Sequence, residues 1–295
     1  MSQATTPAYS DAASGKPAET DLEGLRAHLL ARIAITEPRT EPFRHLYVED
    51  VFPDRFYELL RGHMLAAKCG RRTEDRHQDS PRFTTARFNL MNCDDPVIAS
   101  LRAAFSEREV MTSLAAKFFL EPGRVVEEGL IIHQEFEYTF TRADRFQTIH
   151  VDIPPKYLSF VFYIPEYPDL GDASELENAT ILYGDDLQPR HCARFRRNSV
   201  CIFAPHFRSY HGFASTMDRD ALVMFYVQPA ELDAWQRMRF AHGDEPPFSG
   251  LRELIGDKLR RHPLIEFGRD EAAIGRAREA CRVNAPQGRV LNDPT

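Results

Sequence analysis

The sequence predicts a mainly β domain with helices on either side, an α+β arrangement, and two observations carry that prediction. Between residues 130 and 228 aromatic and β-branched runs recur, the strongest at 157–164, 199–203 and 219–228. On both sides of that stretch apolar residues fall at helical spacing instead, upstream at Leu22, Leu25, Leu29, Leu30 and Ile33, downstream within 231–240, 251–260 and 270–281. A chain of 295 residues that is 43% hydrophobic can bury a sizeable core. No apolar run approaches the ~20 residues that span a bilayer.

Taken in order, residues 1–20 are rich in Ala, Ser, Thr and Pro and read as a disordered tail. Asp21 is placed to cap a helix running to Ile35. A strand at 43–48 follows, then a helix opening at Pro53 with Phe56, Leu59, Leu60 and Met64 on its inner face. Residues 71–93 are polar and arginine-rich and read as a flexible lid over a site. Residues 96–119 read as helix backing a sheet. These elements make 21–125 a supporting region, 126–229 the core and 230–295 a helical extension, serving as a buttress or, more sharply, as a homodimer face or site cover.

In the strand at 130–140, Ile132, Phe136, Tyr138 and Phe140 share one face, and His133, Glu135, Glu137 and Thr139 the other. Gln134, Phe136 and Tyr138, with Tyr157 on the next strand, are therefore expected to face inward and line a substrate pocket. His133 is expected at the surface.

The chemistry is concentrated in His150-Val-Asp152, with Tyr210-His211-Gly212 and Arg219 downstream. Two imidazoles and one carboxylate can occupy one face of an Fe(II) ion and leave the opposite face open. The tripeptide pattern alone is weak, since His77-Gln-Asp79, His242-Gly-Asp244 and His133-Gln-Glu135 also carry it. Metal ligands need rigid supports, and His150 adjoins the strand at 157–164. The others lie in charged or Pro/Gly-rich segments, or on the polar face just described. For the third ligand His191 and His206 compete, and His211 is preferred because it sits in a strand-like segment shortly before Arg219. A guanidinium there can hold the distal carboxylate of an organic acid through paired hydrogen bonds.

Residues 130–228 resemble the catalytic core of the Fe(II)/2-oxoglutarate-dependent oxygenase superfamily, in its prolyl-hydroxylase-like branch. The matching order is Tyr138 in a strand, His150-x-Asp152, a strand ending Tyr163-Ile-Pro165, and Ala179-Thr-Ile-Leu-Tyr183. It continues with Asn198-Ser-Val-Cys-Ile-Phe203-Ala-Pro205, Tyr210-His211-Gly212 and Arg219-x-x-Leu222-x-x-Phe225-Tyr226. The resemblance implies a double-stranded β-helix, a squashed barrel of two antiparallel sheets with a metal at its mouth. It implies Fe(II) on His150, Asp152 and His211, and 2-oxoglutarate on Arg219 with a hydroxyl from Tyr138 or Ser159. Dioxygen is then the oxidant, ascorbate a supporting reductant, and the reaction hydroxylation of a C–H bond with release of succinate and CO2.

Two departures bear on this. Ala221 stands where some relatives place a serine beside the arginine, so another hydroxyl must serve or none does. The Gly-Gly often found before the middle strand is replaced by Leu176-Glu-Asn-Ala179. Asp152 occupies the position that halogenating relatives leave open for chloride. Phe225 stands where nucleic-acid-repairing relatives carry a second arginine.

A formal net charge of −7 also argues against a nucleic-acid partner. Basic clusters at 194–197 and 258–262 read as a solvated strand end and a helix face. Five cysteines without paired spacing, and a start lacking the basic and apolar regions of a signal peptide, suggest the cytoplasm. The expected substrate is a small molecule, an amino acid or specialised metabolite that a carrier protein holds or that is free. A protein side chain such as prolyl comes second, and a silent or cupin-like metal-binding barrel third.

Overall fold

The computed structural model describes residues 21–70, 85–119, 122–127, 133–143, 145–152, 156–167, 170–205 and 208–227. Ten strands and six helices lie among them. The helices come mostly first: α1 (Leu22–Ile35), α2 (Asp54–Gly70), α3 (Pro96–Ser106), α4 (Arg108–Phe118), α5 (Pro122–Glu127) and later α6 (Asp172–Glu177). The strands are β1 (His45–Glu49), β2 (Thr85–Asn89), β3 (His133–Thr141), β4 (Arg145–His150) and β5 (Lys156–Tyr163), then β6 (Thr180–Tyr183), β7 (Pro189–Ala193), β8 (Ser199–Phe203), β9 (His211–Ser215) and β10 (Arg219–Val227).

They form two sheets. One has six strands in the order β1-β8-β5-β10-β3-β2, the other four in the order β4-β9-β6-β7. Every pairing is antiparallel. This is the double-stranded β-helix expected from the resemblance.

Packing divides the molecule into layers. The outer face of the large sheet meets the helices: Phe136, Tyr138, Phe160, Phe162, Leu222, Met224 and Tyr226 join Leu29, Tyr57, Leu60, Leu101, Phe105 and Leu114 in one buried cluster. Its inner face meets the small sheet through Tyr163, Cys201, Phe203, Leu182, Ala193 and Phe195. With both faces covered, the central strands β5, β8 and β10 carry nearly unbroken apolar runs rather than an alternation.

Local signals explain several boundaries. Asp21 caps α1 by accepting from the Gly24 amide at 2.8 Å. Asp95 does the same for α3 through Val97, and Pro96 occupies its first turn. The single helix expected over 96–119 is two, broken at Glu107, whose backbone is extended. Asn198 has a φ of 52°, a left-handed conformation that Asn tolerates, and its amide brackets both the N–H and C=O of Phe52. That bracket fixes the entry to α2 against the turn before β8.

Three further expectations are corrected. Residues 85–89, placed within a lid, form the edge strand β2 beside β3. His191, placed in a polar connection, lies in the edge strand β7. Tyr138 and Phe136 face the helices rather than the barrel interior, because the apolar face of β3 is the one that α2 and α3 cover. Residues 1–20, 71–84 and 228–295, on which fall the expected tail, the first part of the expected lid and the expected C-terminal helices with Trp235 and Phe240, lie outside the described residues. No described helix is long and apolar enough to cross a membrane.

Candidate metal centre

Antiparallel pairing of β4 with β9 sets His150 directly opposite His211, with ring centroids 4.2 Å apart. Asp152 follows two residues past the end of β4. One ligand atom from each of His150, Asp152 and His211 lies within 4.8 Å of the others. Strand ends on a packed sheet thus deliver all three, the rigidity such a constellation needs.

The protonation states suit a cation. Burial opposes a charge on Asp152, but Lys156, His211 and His150 beside it, with the Ser159 hydroxyl, hold its carboxyl well below the usual range. Lys156 Nζ donates to Oδ1 at 3.0 Å and Ser159 Oγ to Oδ2 at 2.6 Å. Burial, assisted by Lys156, lowers the His211 pKa and keeps the ring neutral, against opposing contributions from Asp152 and the Ser209 carbonyl. His211 Nδ1 donates to that carbonyl at 2.9 Å, leaving Nε2 as the lone-pair nitrogen. The amide nitrogen of Gln147 lies 2.9 Å from His150 Nε2. Two imidazoles, that of His211 neutral, and an ionised carboxylate are donors of the kind an Fe(II) facial site takes, and these residues fit it.

A β-bulge shapes the wall beside this trio. On β10 the register steps from Tyr226 to Val227, while on β5 it steps from Leu158 to Lys156. The additional residue, Tyr157, breaks the two-residue alternation. Lys156 therefore shares a face with Ser159, with its ammonium 3.4 Å from the Phe225 ring centroid and on Asp152. Tyr157 turns into the helix-covered core beside Phe119. Strict alternation would have exchanged the two; Tyr157, expected in the pocket, is in the core instead.

Arg219 opens β10 and is 2% exposed. Its Nε donates to the Asn178 carbonyl at 2.9 Å and Nη2 to Thr180 Oγ1 at 2.8 Å. The guanidinium carbon lies 3.9 Å from the ring centroid of Phe213, two residues beyond His211 on the same face of β9. Burial pulls its pKa down to about 10. No carboxylate lies within ion-pair distance of it among the described residues. Tyr163 Oη donates to Thr180 Oγ1 at 2.7 Å, so a tyrosine and a threonine stand where the missing serine left a question.

Of the remaining residues expected in the site, Ser159 has its hydroxyl on the metal-ligand candidate Asp152, a different place from Arg219. The Tyr138 hydroxyl bonds His63 Nδ1 at 2.7 Å, on the far side of the sheet from Asp152. Phe136 is buried on that same side. The side chains of Gln134 and His133, and the rival histidines His77, His206 and His242, lie outside the described residues. His191 packs against His45, with ring centroids 4.7 Å apart and the rings tilted, and meets Arg39. Gln147, Lys156, Tyr163 and Thr180 were missed. Tyr163 had a signal, being four residues from Ser159 on one strand.

Arg194, Arg196 and Arg197 are neutralised by Asp172, Glu175, Glu49, Asp54 and Glu58. They behave as the solvated strand end the sequence suggested.

No protein-family model matches the sequence, and no curated protein matches it. Solved structures do. A prolyl-4-hydroxylase from Pseudomonas putida aligns at 11% identity over 69% of this chain and 99% of its own, with a TM-score of 0.50. A prolyl hydroxylase from Trichoplax adhaerens, in complex with a hypoxia-inducible-factor oxygen-degradation-domain peptide fragment, aligns at 8% identity over 70% and 90%, with a TM-score of 0.51. The fold is theirs. At such identities the site has to speak from its own residues.

Proposed function

We propose that this protein is an Fe(II)- and 2-oxoglutarate-dependent dioxygenase that hydroxylates a C–H bond of a small molecule, with succinate and CO2 as co-products. One observation carries the reading. A buried guanidinium with no carboxylate partner among the described residues, Arg219, shares the barrel interior with a His-Asp-His trio. A buried cation is costly unless an anion meets it, and a dicarboxylic acid anchored at one end by Arg219 can reach a metal with the other.

In this reading His150, Asp152 and His211 hold Fe(II), which supplies the activation of dioxygen. Arg219 binds the distal carboxylate of 2-oxoglutarate. Thr180 and Tyr163 orient the guanidinium, and the apolar walls Phe203, Phe213 and Phe225 exclude water from the site. Dioxygen and, as a supporting reductant, ascorbate complete the reaction. A silent or cupin-like barrel has no use for Arg219 and ranks lower.

A prolyl side chain in a peptide is the second reading, favoured by the two prolyl hydroxylases that share the fold.

Anaerobic titration of the Fe(II)-loaded protein with 2-oxoglutarate tests the class. A weak visible charge-transfer band should appear. If iron is bound and no band forms, the reading fails. Succinate release across a panel of small molecules and prolyl peptides then separates the two substrate readings.

A further inference from the structure

We propose that Lys156 and Ser159 together restrict Asp152 to one-oxygen ligation of the metal, and that the β-bulge at Tyr157 exists to bring Lys156 into that role. This rests on the function proposed above and deepens it.

The coordination arithmetic makes ligation mode matter. Two imidazoles and a single carboxylate oxygen use three of about six positions around an octahedral ion. The remaining three suffice for a co-substrate that chelates through two atoms and for dioxygen. Chelation by both oxygens of Asp152 would consume a fourth position and leave none for dioxygen once 2-oxoglutarate is bound. The carboxylate therefore has to be kept from turning both oxygens to the metal.

The structure supplies a donor for each oxygen. Ser159 takes Oδ2 at 2.6 Å, a short hydrogen bond to an ionised acceptor, and Lys156 takes Oδ1 at 3.0 Å. They are not equivalent. A hydroxyl is neutral and leaves the second lone pair of Oδ2 usable. An ammonium repels a metal dication, so the metal is directed to Oδ2 while Lys156 retains Oδ1. Lys156 cannot easily swing away, because its ammonium also rests on the face of Phe225 and its side chain is only 11% exposed.

Both donors stand on one strand, three residues apart, a spacing that a regular strand would place on opposite faces. The bulge removes that obstacle. Its effect is confined to re-aiming Lys156 and Tyr157, since Ser159, Phe160, Val161, Phe162 and Tyr163 keep regular partners on β10.

Infrared difference spectra test this directly. Full-length protein carrying ¹³C-carboxyl aspartate is compared with and without Fe(II) under anaerobic conditions. The separation of antisymmetric and symmetric carboxylate stretches is wide for one-oxygen ligation and narrow for chelation. Wild type should show the wide separation, Lys156→Met and Ser159→Ala should shift toward the narrow one, and Lys156→Arg should restore the wide one. With 2-oxoglutarate bound, the charge-transfer band of Lys156→Met should form with affinity within about threefold of wild type but decay at least tenfold more slowly on exposure to dioxygen.

Unchanged separation in both variants overturns the proposal. So does loss of Fe(II) binding in both, which would make the two residues mere supports for the carboxylate. If Lys156→Met fails to fold, Ser159→Ala decides. Failure of the charge-transfer band in wild type would sink the proposed function alone, because the infrared measurement needs only Fe(II).

Discussion

Replacing Arg219 by methionine should move two quantities in different ways. In the folded protein the guanidinium is buried, and burial draws its pKa down to about 10. A shift of that size corresponds to roughly 3 kcal/mol of unfavourable desolvation that methionine does not incur. Against that gain stand the lost hydrogen bonds to the Asn178 carbonyl and Thr180 Oγ1, each worth about 1 kcal/mol. The ligand-free variant should therefore unfold within about 1 kcal/mol of wild type, or somewhat later.

Affinity for 2-oxoglutarate should fall steeply, because removing one partner of a buried charge pair costs roughly 3–5 kcal/mol, a hundredfold or more in Kd. Thermal unfolding without ligand measures the first quantity, and anaerobic titration of the Fe(II)-loaded protein the second. The reasoning is refuted if 2-oxoglutarate binds the variant within tenfold of wild type, or if Fe(II) affinity collapses in parallel.

Other expectations are simpler to state. Tyr163→Phe removes the donor to Thr180 Oγ1 and should weaken 2-oxoglutarate binding by about 1 kcal/mol, roughly fivefold. Tyr138→Phe loses a bond to His63 on the other side of the sheet and should leave that affinity within about twofold; a large loss there would return Tyr138 to the site. Phe160→Ala empties a fully buried position between β5 and the helices and should cost about 3–5 kcal/mol in denaturant unfolding. His45 should make stability acid-sensitive. Burial, with His191 and Arg39 nearby, lowers its pKa from 6.5 to about 4 against the opposing Phe43 carbonyl. The unfolded chain takes up that proton first, so stability is complete above pH 6.5 and is lost as pH falls toward 4, by roughly 3 kcal/mol. The loss should be absent from His45→Phe in a pH series of urea unfolding curves.

Much of the fold was legible because its strongest signals are local. Asp21 marks a helix start by side-chain chemistry alone, and the apolar runs of β5, β8 and β10 declare strands covered on both faces. His150, Asp152 and His211 were legible because they adjoin such runs. What escaped depends on partners distant in sequence. The polar strand β7 has no hydrophobic pattern and exists because β6 pairs with it. Tyr138 sits on an apolar face that could have met either the other sheet or the helices, and only the assembled layers decide. Thr180 acquires its role from Arg219, 39 residues away. The bulge leaves no mark in composition, so nothing in the sequence turns Tyr157 toward the helices and Lys156 toward Asp152.

The six-stranded sheet behaves as a wall between two rooms. Along β10, Leu222, Met224 and Tyr226 belong to the helical room, while Arg219, Ala221, Val223 and Phe225 belong to the other. Neighbouring codons therefore answer to separate demands: one set must suit what the helices will seat, the next what the barrel interior holds, where Arg219 and Phe225 already have partners. A library randomising Val223 alone would vary the interior side of the wall while leaving its helix-facing supports, and the ring under Lys156, untouched.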